Sequence, residues 1–191
     1  VKETVILTVA VAIIAAAVYF KNSGSRGICR RKSSHPKRNR RNNKAGTKMI
    51  ELVEDKLDID TYLELRQSVN FRKLTRDQAK KGLSNSMYTL VAFKDGKAVG
   101  MGRIVGDGAI ICYVQDLIIR PEVQGEGIGG LILETLKKFV IQEGYEGTTM
   151  MFDLMCAKGR EEFYKKHGFI ARPTEDLGPG MIQFIQIGEE G

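Results

Sequence analysis

The sequence predicts an α/β (α+β) fold, a mixed and mainly antiparallel central sheet flanked by helices. Three observations carry that prediction. The apolar period is helical between residues 58 and 86, then switches to β-rich runs from Met87. Those runs are separated by short turn signals, which suits antiparallel hairpins. Past mid-chain, a strand enters a helix through a glycine-rich junction, and only one clear βα unit follows.

The elements follow in order. "KMIELVED" reads as a first strand. "DIDTYLELRQSV" sets Tyr62, Leu65 and Val69 at helical spacing, with Asp58 or Asp60 available as cap. "TRDQAKKGLSNS" opens on a capping box, Thr75 and Gln78, and reads as a second helix. "MYTLVAFKDGKAVGMGRIVGDGAIICYVQDLIIRP" holds three strands. Asp95-Gly96 supplies a type I′ turn, which needs positive φ at both central residues, and Gly106–Gly108 supplies a second turn. The third strand, about Ala109 to Arg120, leads into the glycine loop. Beyond it, Ile128, Leu131, Ile132, Leu136, Phe139 and Val140 trace one helical face. "TTMMFDLM" is a fifth strand, "AKGREEFYKKHGF" a short helix with Gly168 at C′, and "GPGMIQFIQIG" a turn and final strand. The order is β-α-α-β-β-β-α-β-α-β, with room for one more strand near Ile170.

Charge divides the chain. Residues 1–48 carry 12 Lys/Arg against one acid, whereas residues 49–191 carry 18 against 22. The net charge of +7 therefore belongs to the N-terminal tail, and the folded domain is mildly acidic. No nucleic-acid-binding face is expected on that domain. The three cysteines, Cys29, Cys112 and Cys156, form neither a disulfide framework nor a metal-ligand cluster. No metal site is expected.

Val5–Phe20 runs without a charge and is followed at once by a basic stretch, the order of a membrane span with a stop-transfer flank rather than of a cleavable signal peptide. The domains are then a span over 1–20, a basic linker over 21–48 and a cytoplasmic catalytic domain over 49–191. A competing reading makes residues 1–48 a non-native upstream extension, with Met49, the first methionine, as the true start.

The junction "IIRPEVQGEGIGGLILETL" admits two readings. Gly125, Gly127 and Gly130 spell G-x-G-x-x-G, while Gln124, Gly127 and Gly129 spell Q-x-x-G-x-G. Both place a phosphate at a helix N-terminus. A dinucleotide fingerprint belongs at the first βα turn of a parallel sheet, and here an antiparallel meander comes first. No Lys-Ser/Thr pair follows the loop, which excludes a P-loop.

Strand, Q-x-x-G-x-G, helix, strand, then F-Y-x-x-x-G-F resembles the GNAT superfamily of acetyl-CoA-dependent N-acetyltransferases from about Met49 onward. "GMGRIVGDG", "VQDLIIRPEVQGEGIG" and "CAKGREEFYKKHGF" are similar to bacterial members. The resemblance implies an acyltransferase that moves acetyl from acetyl-CoA to a primary amine of a small molecule or peptide. Amides from Gly125, Glu126, Gly127, Ile128, Gly129 and Gly130 would cradle the pyrophosphate, with Gln124 at the loop's entrance. Gly127 and Gly129 would let the backbone approach the phosphate oxygens. Leu117, Ile118 and Ile119 would pair with pantetheine through their main chain, and an N–H there would polarise the thioester carbonyl. Tyr164 would protonate the departing thiolate. Asp116 is a base candidate, or else a structural partner of Arg103; Tyr113, Asp153 and His167 are further base candidates. The rival reading is a non-catalytic acyl-CoA-binding sensor on the same fold. The sequence sets neither the acceptor amine nor an oligomeric state; a homodimer is one arrangement it allows.

Overall fold

The computed structural model describes residues 49–185 and 187. The expected span and basic linker lie outside the described residues. Among those described, no helix is long and apolar enough to cross a membrane. The elements are β1 (Ile50–Glu54), α1 (Ile59–Ser68), α2 (Arg76–Ser84), β2 (Tyr88–Lys94), β3 (Lys97–Gly106), β4 (Ile111–Ile119), a single 3-10 turn (Pro121–Val123), α3 (Ile128–Glu143), β5 (Met151–Asp153) and α4 (Glu161–Lys166). The five strands lie in the order β1-β2-β3-β4-β5. All pairs are antiparallel except β4 with β5, which is parallel.

Local chemistry sets the boundaries. Asp58 caps α1 by accepting from the Thr61 amide at 2.9 Å, and these hydrogen bonds hold its carboxyl below the ordinary value. The capping box of α2 is complete: the Gln78 amide donates to Thr75 Oγ1 at 3.1 Å, and the Thr75 amide to Gln78 Oε1 at 2.9 Å. Asp95 and Gly96 both take positive φ, 53° and 76°, as a type I′ hairpin requires. At the second turn Asp107 Oδ1 accepts from the amides of Ala109, Ile110 and Ile111, which lowers its pKa to about 2.

The sheet buries both faces. Leu90, Ala92, Ile104, Cys112 and Val114 pack under α3, while Val91, Met101 and Ile118 pack under α1 and α2. That double burial explains why "YTLVAF" shows no polar alternation. α3 presents Ile128, Ile132, Leu133, Leu136 and Val140. Leu131, expected on this face, is 36% exposed, and Leu133 takes its place. A stripe at i and i+4 from Ile128 runs through 132, 136 and 140, leaving position 131 at its outer edge.

Two glycines of β3 admit this helix. A Cβ on Gly102 would lie 2.8 Å from Ile132 Cγ2 and 2.9 Å from Leu136 Cδ1, and one on Gly100 would lie 2.7 Å from Ile119 Cδ1.

The final strand expected from "GPGMIQFIQIG" does not form among the described residues. Met181–Ile185 is outside any strand, with Met181 92% and Phe184 70% exposed. Nor does a strand form near Ile170. β5 is three residues long and offers a short template, and Gly178-Pro179-Gly180 lacks one of the donors a ladder needs.

Gly102→Ala should lower stability by about 1–3 kcal/mol through overpacking under α3. Urea unfolding of the folded domain measures it, with Gly82→Ala, whose Cβ would meet nothing within 4 Å, as the reference.

Candidate active site

The sheet forks at the end of β5. Ile111, Cys112 and Tyr113 pair with Met151, Phe152 and Asp153, and there β5 stops while β4 continues to Ile119. Val114–Ile119 therefore has no strand on that side among the described residues, and its edge is open to an extended ligand.

Within the open segment β4 carries a bulge. Ile118 pairs with Met101 and Gln115 with Arg103, so Asp116 and Leu117 together oppose Gly102. Asp116 sits at φ 57°. The extra residue reverses the alternation. Cys112 and Val114 face α3 before it; after it Leu117 and Ile119 take that face and Ile118 turns to the other.

Beyond β4 the chain turns through Pro121–Val123 to the glycine loop. Gly125 and Gly127 adopt φ 86° and 82°, and Gly127 is the N-cap of α3. A Cβ at either would meet nothing within 4 Å, so the demand there is conformational. No side chain caps this end and no acid lies in its first turn. The first helical bond runs from the Leu131 amide to the Gly127 carbonyl at 3.2 Å. The amides of Ile128, Gly129 and Gly130 are thus left without intrahelical acceptors, at the positive end of a helix of 16 residues.

Gly129, expected at the phosphate site, also makes room for α4. A Cβ there would meet the Phe163 ring at 3.4 Å, and one on Gly130 would meet His167 Cε1 at 3.3 Å. Both are small because α4 lies against α3.

Four charged or polar side chains complete the loop. Gln124 Nε2 donates to the Ile119 carbonyl at 2.9 Å, and its Oε1 accepts from Arg160 Nη2 at 3.0 Å. Glu126 is paired with Lys94 at 2.5 Å. Lys94 and Arg160 are cations that sequence reasoning missed. The signal for Arg160 was its place just before the "EEFYKK" helix; Lys94 lies 32 residues from Glu126, and only the fold brings it there.

Tyr164 projects from α4, its ring edge-on to Phe163 at 5.0 Å and to Phe169 at 5.7 Å. The helix ends in a Schellman motif: Gly168 takes φ 87°, its amide donates to the Lys165 carbonyl, and that of Phe169 to the Tyr164 carbonyl. Burial raises the Tyr164 hydroxyl to about 12, with Cys156 and Tyr113 adding to the shift and Arg160 opposing it. Those neighbours place Tyr164 just past the fork. Tyr113, the last paired residue of β4, accepts at its hydroxyl from the Met155 amide at 3.0 Å.

Asp153 stands at the fork itself. Its Oδ1 is buried without a hydrogen-bond partner, and burial raises its carboxyl, with Arg172 opposing. Asp116 contrasts with it. It is 6% exposed and accepts from Tyr62 Oη at 2.6 Å, Arg103 Nε at 3.0 Å, Gln115 Nε2 at 3.2 Å and Arg66 Nη1. Arg103, the structural partner expected for Asp116, is thus one of four donors that converge on its carboxylate. His167 Nδ1 lies 3.0 Å from Glu134 Oε1, which fastens α4 to α3.

An open strand edge running into an uncapped helix start defines an α/β domain whose free main-chain groups lie along one line. Comparison with known proteins makes the class specific. Residues 85–171 match the family model for an acetyltransferase (GNAT) domain. An uncharacterized N-acetyltransferase ycf52 of Pyropia yezoensis is 31% identical over 114 residues, 58% of this chain and 63% of that protein. A ycf52-like N-acetyltransferase of Prochlorococcus marinus is 26% identical over 121 residues, 61% of this chain and 65% of that one. The chain thus spans slightly under two thirds of the length of these curated relatives. Among solved structures, a probable acetyltransferase of meticillin-resistant Staphylococcus aureus superimposes with a TM-score of 0.64 at 28% identity, covering 72% of this chain and all of that one. Residues 85–171 are thus a GNAT acetyltransferase domain, and in sequence and fold the chain is similar to N-acetyltransferases of that superfamily.

Gly127→Ala should cost about 1–2 kcal/mol, the penalty of a left-handed residue bearing a Cβ, read by urea unfolding. Asp153 gives a pH test. Its folded pKa is raised above 3.8, so its ionised form destabilises the fold as pH climbs through that raised value. Asp153→Asn should therefore raise the melting temperature at pH 7, and the gain should vanish below about pH 3.8, where both side chains are neutral.

Proposed function

We propose that this domain transfers an acetyl group from acetyl-CoA to a primary amine by direct attack. One observation carries the reading: the unpaired edge of β4 leads straight to the exposed, uncapped N-terminus of α3, with Tyr164 beside the fork.

The residues present fit the co-substrate. Gly125, Glu126 and Gly127 are exposed, and the amides of Ile128, Gly129 and Gly130 lack intrahelical acceptors at the positive end of α3, which suits a pyrophosphate. Arg160 stands by the loop, and Lys94 offsets the charge of Glu126, so the acid in the loop does not repel a phosphate. The main chain of Leu117 and Ile118 supplies strand-like pairing for the amides of pantetheine; the Ile119 carbonyl already has Gln124 as a donor. An N–H on the open edge of β4 would stabilise the oxyanion that forms on attack.

The chemistry then needs one acceptor and one donor of protons. An acceptor amine arrives as ammonium and must lose a proton. Asp153, buried with a free oxygen at the fork, takes that proton or orders a water that does. The amine lone pair attacks the thioester carbonyl carbon, a C–N bond forms, the C–S bond breaks, the thiolate takes its proton from the Tyr164 hydroxyl, and the second proton shed by the attacking nitrogen restores that hydroxyl. At about 12, that hydroxyl stays protonated throughout the physiological range; its pKa lies well above that of a thiol, about 8.5, so it is the weaker acid and is present as the donor when the C–S bond breaks. The buried carboxyl favours a cationic amine over a neutral one.

Free-thiol release from acetyl-CoA against a panel of amines tests the reading. Tyr164→Phe should lower kcat by about 10- to 100-fold, the usual scale of one general acid, with acetyl-CoA affinity changed by less than about twofold. Release unaffected by the substitution removes Tyr164 from the mechanism. No amine-dependent release, together with no stabilisation by acetyl-CoA on heating, removes the whole reading.

A further inference from the structure

The face of β4 opposite α3 holds a charged cluster that stability alone does not require. Tyr62 and Arg66 come from α1, Arg103 from β3, and all meet the Asp116 carboxylate at the bulge. Replacing such a buried ion cluster by apolar side chains of similar volume is commonly neutral or stabilising. Asp116 also holds a positive φ, a conformation in which glycine would be easier. The carboxylate is what makes that backbone conformation worthwhile, since its donors reach it only where the bulge places it.

Each donor is itself tied elsewhere. Arg103 Nη1 donates to Ser86 Oγ at 3.0 Å and to the Gly82 carbonyl at 3.3 Å, at the end of α2. Arg66 Nη2 donates to the Arg72 carbonyl at 3.0 Å, and its guanidinium lies 5.3 Å from the centroid of the Phe71 ring. Its Nε is buried without a partner, so Asp116 and the Arg72 carbonyl alone hold the group by hydrogen bonds among the described residues. Phe71 is 38% exposed, on the segment that follows α1. One side chain therefore links a solvent-facing loop to the backbone of the reaction strand.

We propose that Asp116 and Arg66 are positioning residues: Asp116 locks the β4 bulge so that its amides face the thioester oxygen, and Arg66 couples that lock to the loop at Phe71 and Arg72. The inference rests on the acyl-transfer reading for its kinetic consequence, but the lock itself is a property of the backbone. An acceptor amine seated against Phe71 would tighten Arg66 on Asp116 and so complete the acyl site as it binds.

Asp116→Asn keeps a residue that tolerates positive φ and removes the charge; Arg66→Lys keeps the charge and removes the two-pronged donor. Both should lower kcat by about tenfold or more, leave the KM for acetyl-CoA within about threefold, and leave the shape of the pH–rate profile unchanged. Loss of the acidic limb of that profile in Asp116→Asn would make Asp116 the base and overturn the proposal. So would kcat within twofold of the parent in both variants at a temperature well below their melting points. If Asp116→Asn does not fold, Arg66→Lys carries the same readings. Hydrogen exchange separates this idea from the acyl-transfer reading. Even if the parent protein acetylates nothing, faster exchange at residues 115–118 in Arg66→Lys supports the lock, and unchanged exchange there overturns it.

Discussion

The structure depends on the different demands that β4 meets along its length. Its first residues are ordinary sheet, paired on both sides and buried on both faces. Its last residues must be paired on one side only, because the other side is where a ligand chain can lie. The bulge at Asp116 makes the change of regime, and the ion cluster on the far face keeps it from relaxing. Arg120, just past the strand, is 7% exposed and donates to the Ala98 carbonyl at 2.8 Å and to Glu64 at 2.5 Å. Polar anchors from α1 thus hold the strand at the bulge and at its exit, which keeps the glycine loop and the helix start in line with the open edge.

Much of this was legible in the sequence, and for local reasons. Thr75 with Gln78, Asp95 with Gly96, and Gly168 after a short helix each state a backbone geometry that few other residues would take. The glycine loop was legible as a helix start that must stay exposed. What escaped depends on distance in the chain. Lys94 meets Glu126, Arg160 meets Gln124, and Tyr62 meets Asp116 across 54 residues, and no periodicity encodes such meetings. The final strand was misread for the opposite reason: "MIQFIQI" has every local mark of a strand, but strand formation needs an edge to pair with.

Asp116 and Asp153 show how environment separates two identical side chains. Both sit by the fork, one among four donors and one with a buried oxygen that has none. The first is held in place by its charge; the second is unsettled by it. A carboxylate of the first kind shapes backbone, and one of the second kind is ready to accept a proton or a cation. Sequence alone points first to Asp116 because it lies on the strand that the cofactor would follow; the burial and partners of the two carboxylates are not legible there.

The gap beside Val114–Ile119 has a colloidal side as well. Main-chain donors and acceptors in a bare strand margin do not distinguish a pantetheine arm from a stray polypeptide, and Met155, just past β5, is 50% exposed. A co-substrate lying in the gap would hide that margin from other copies of the protein. One open margin thus serves both the binding of an extended ligand and the risk of edge-to-edge association.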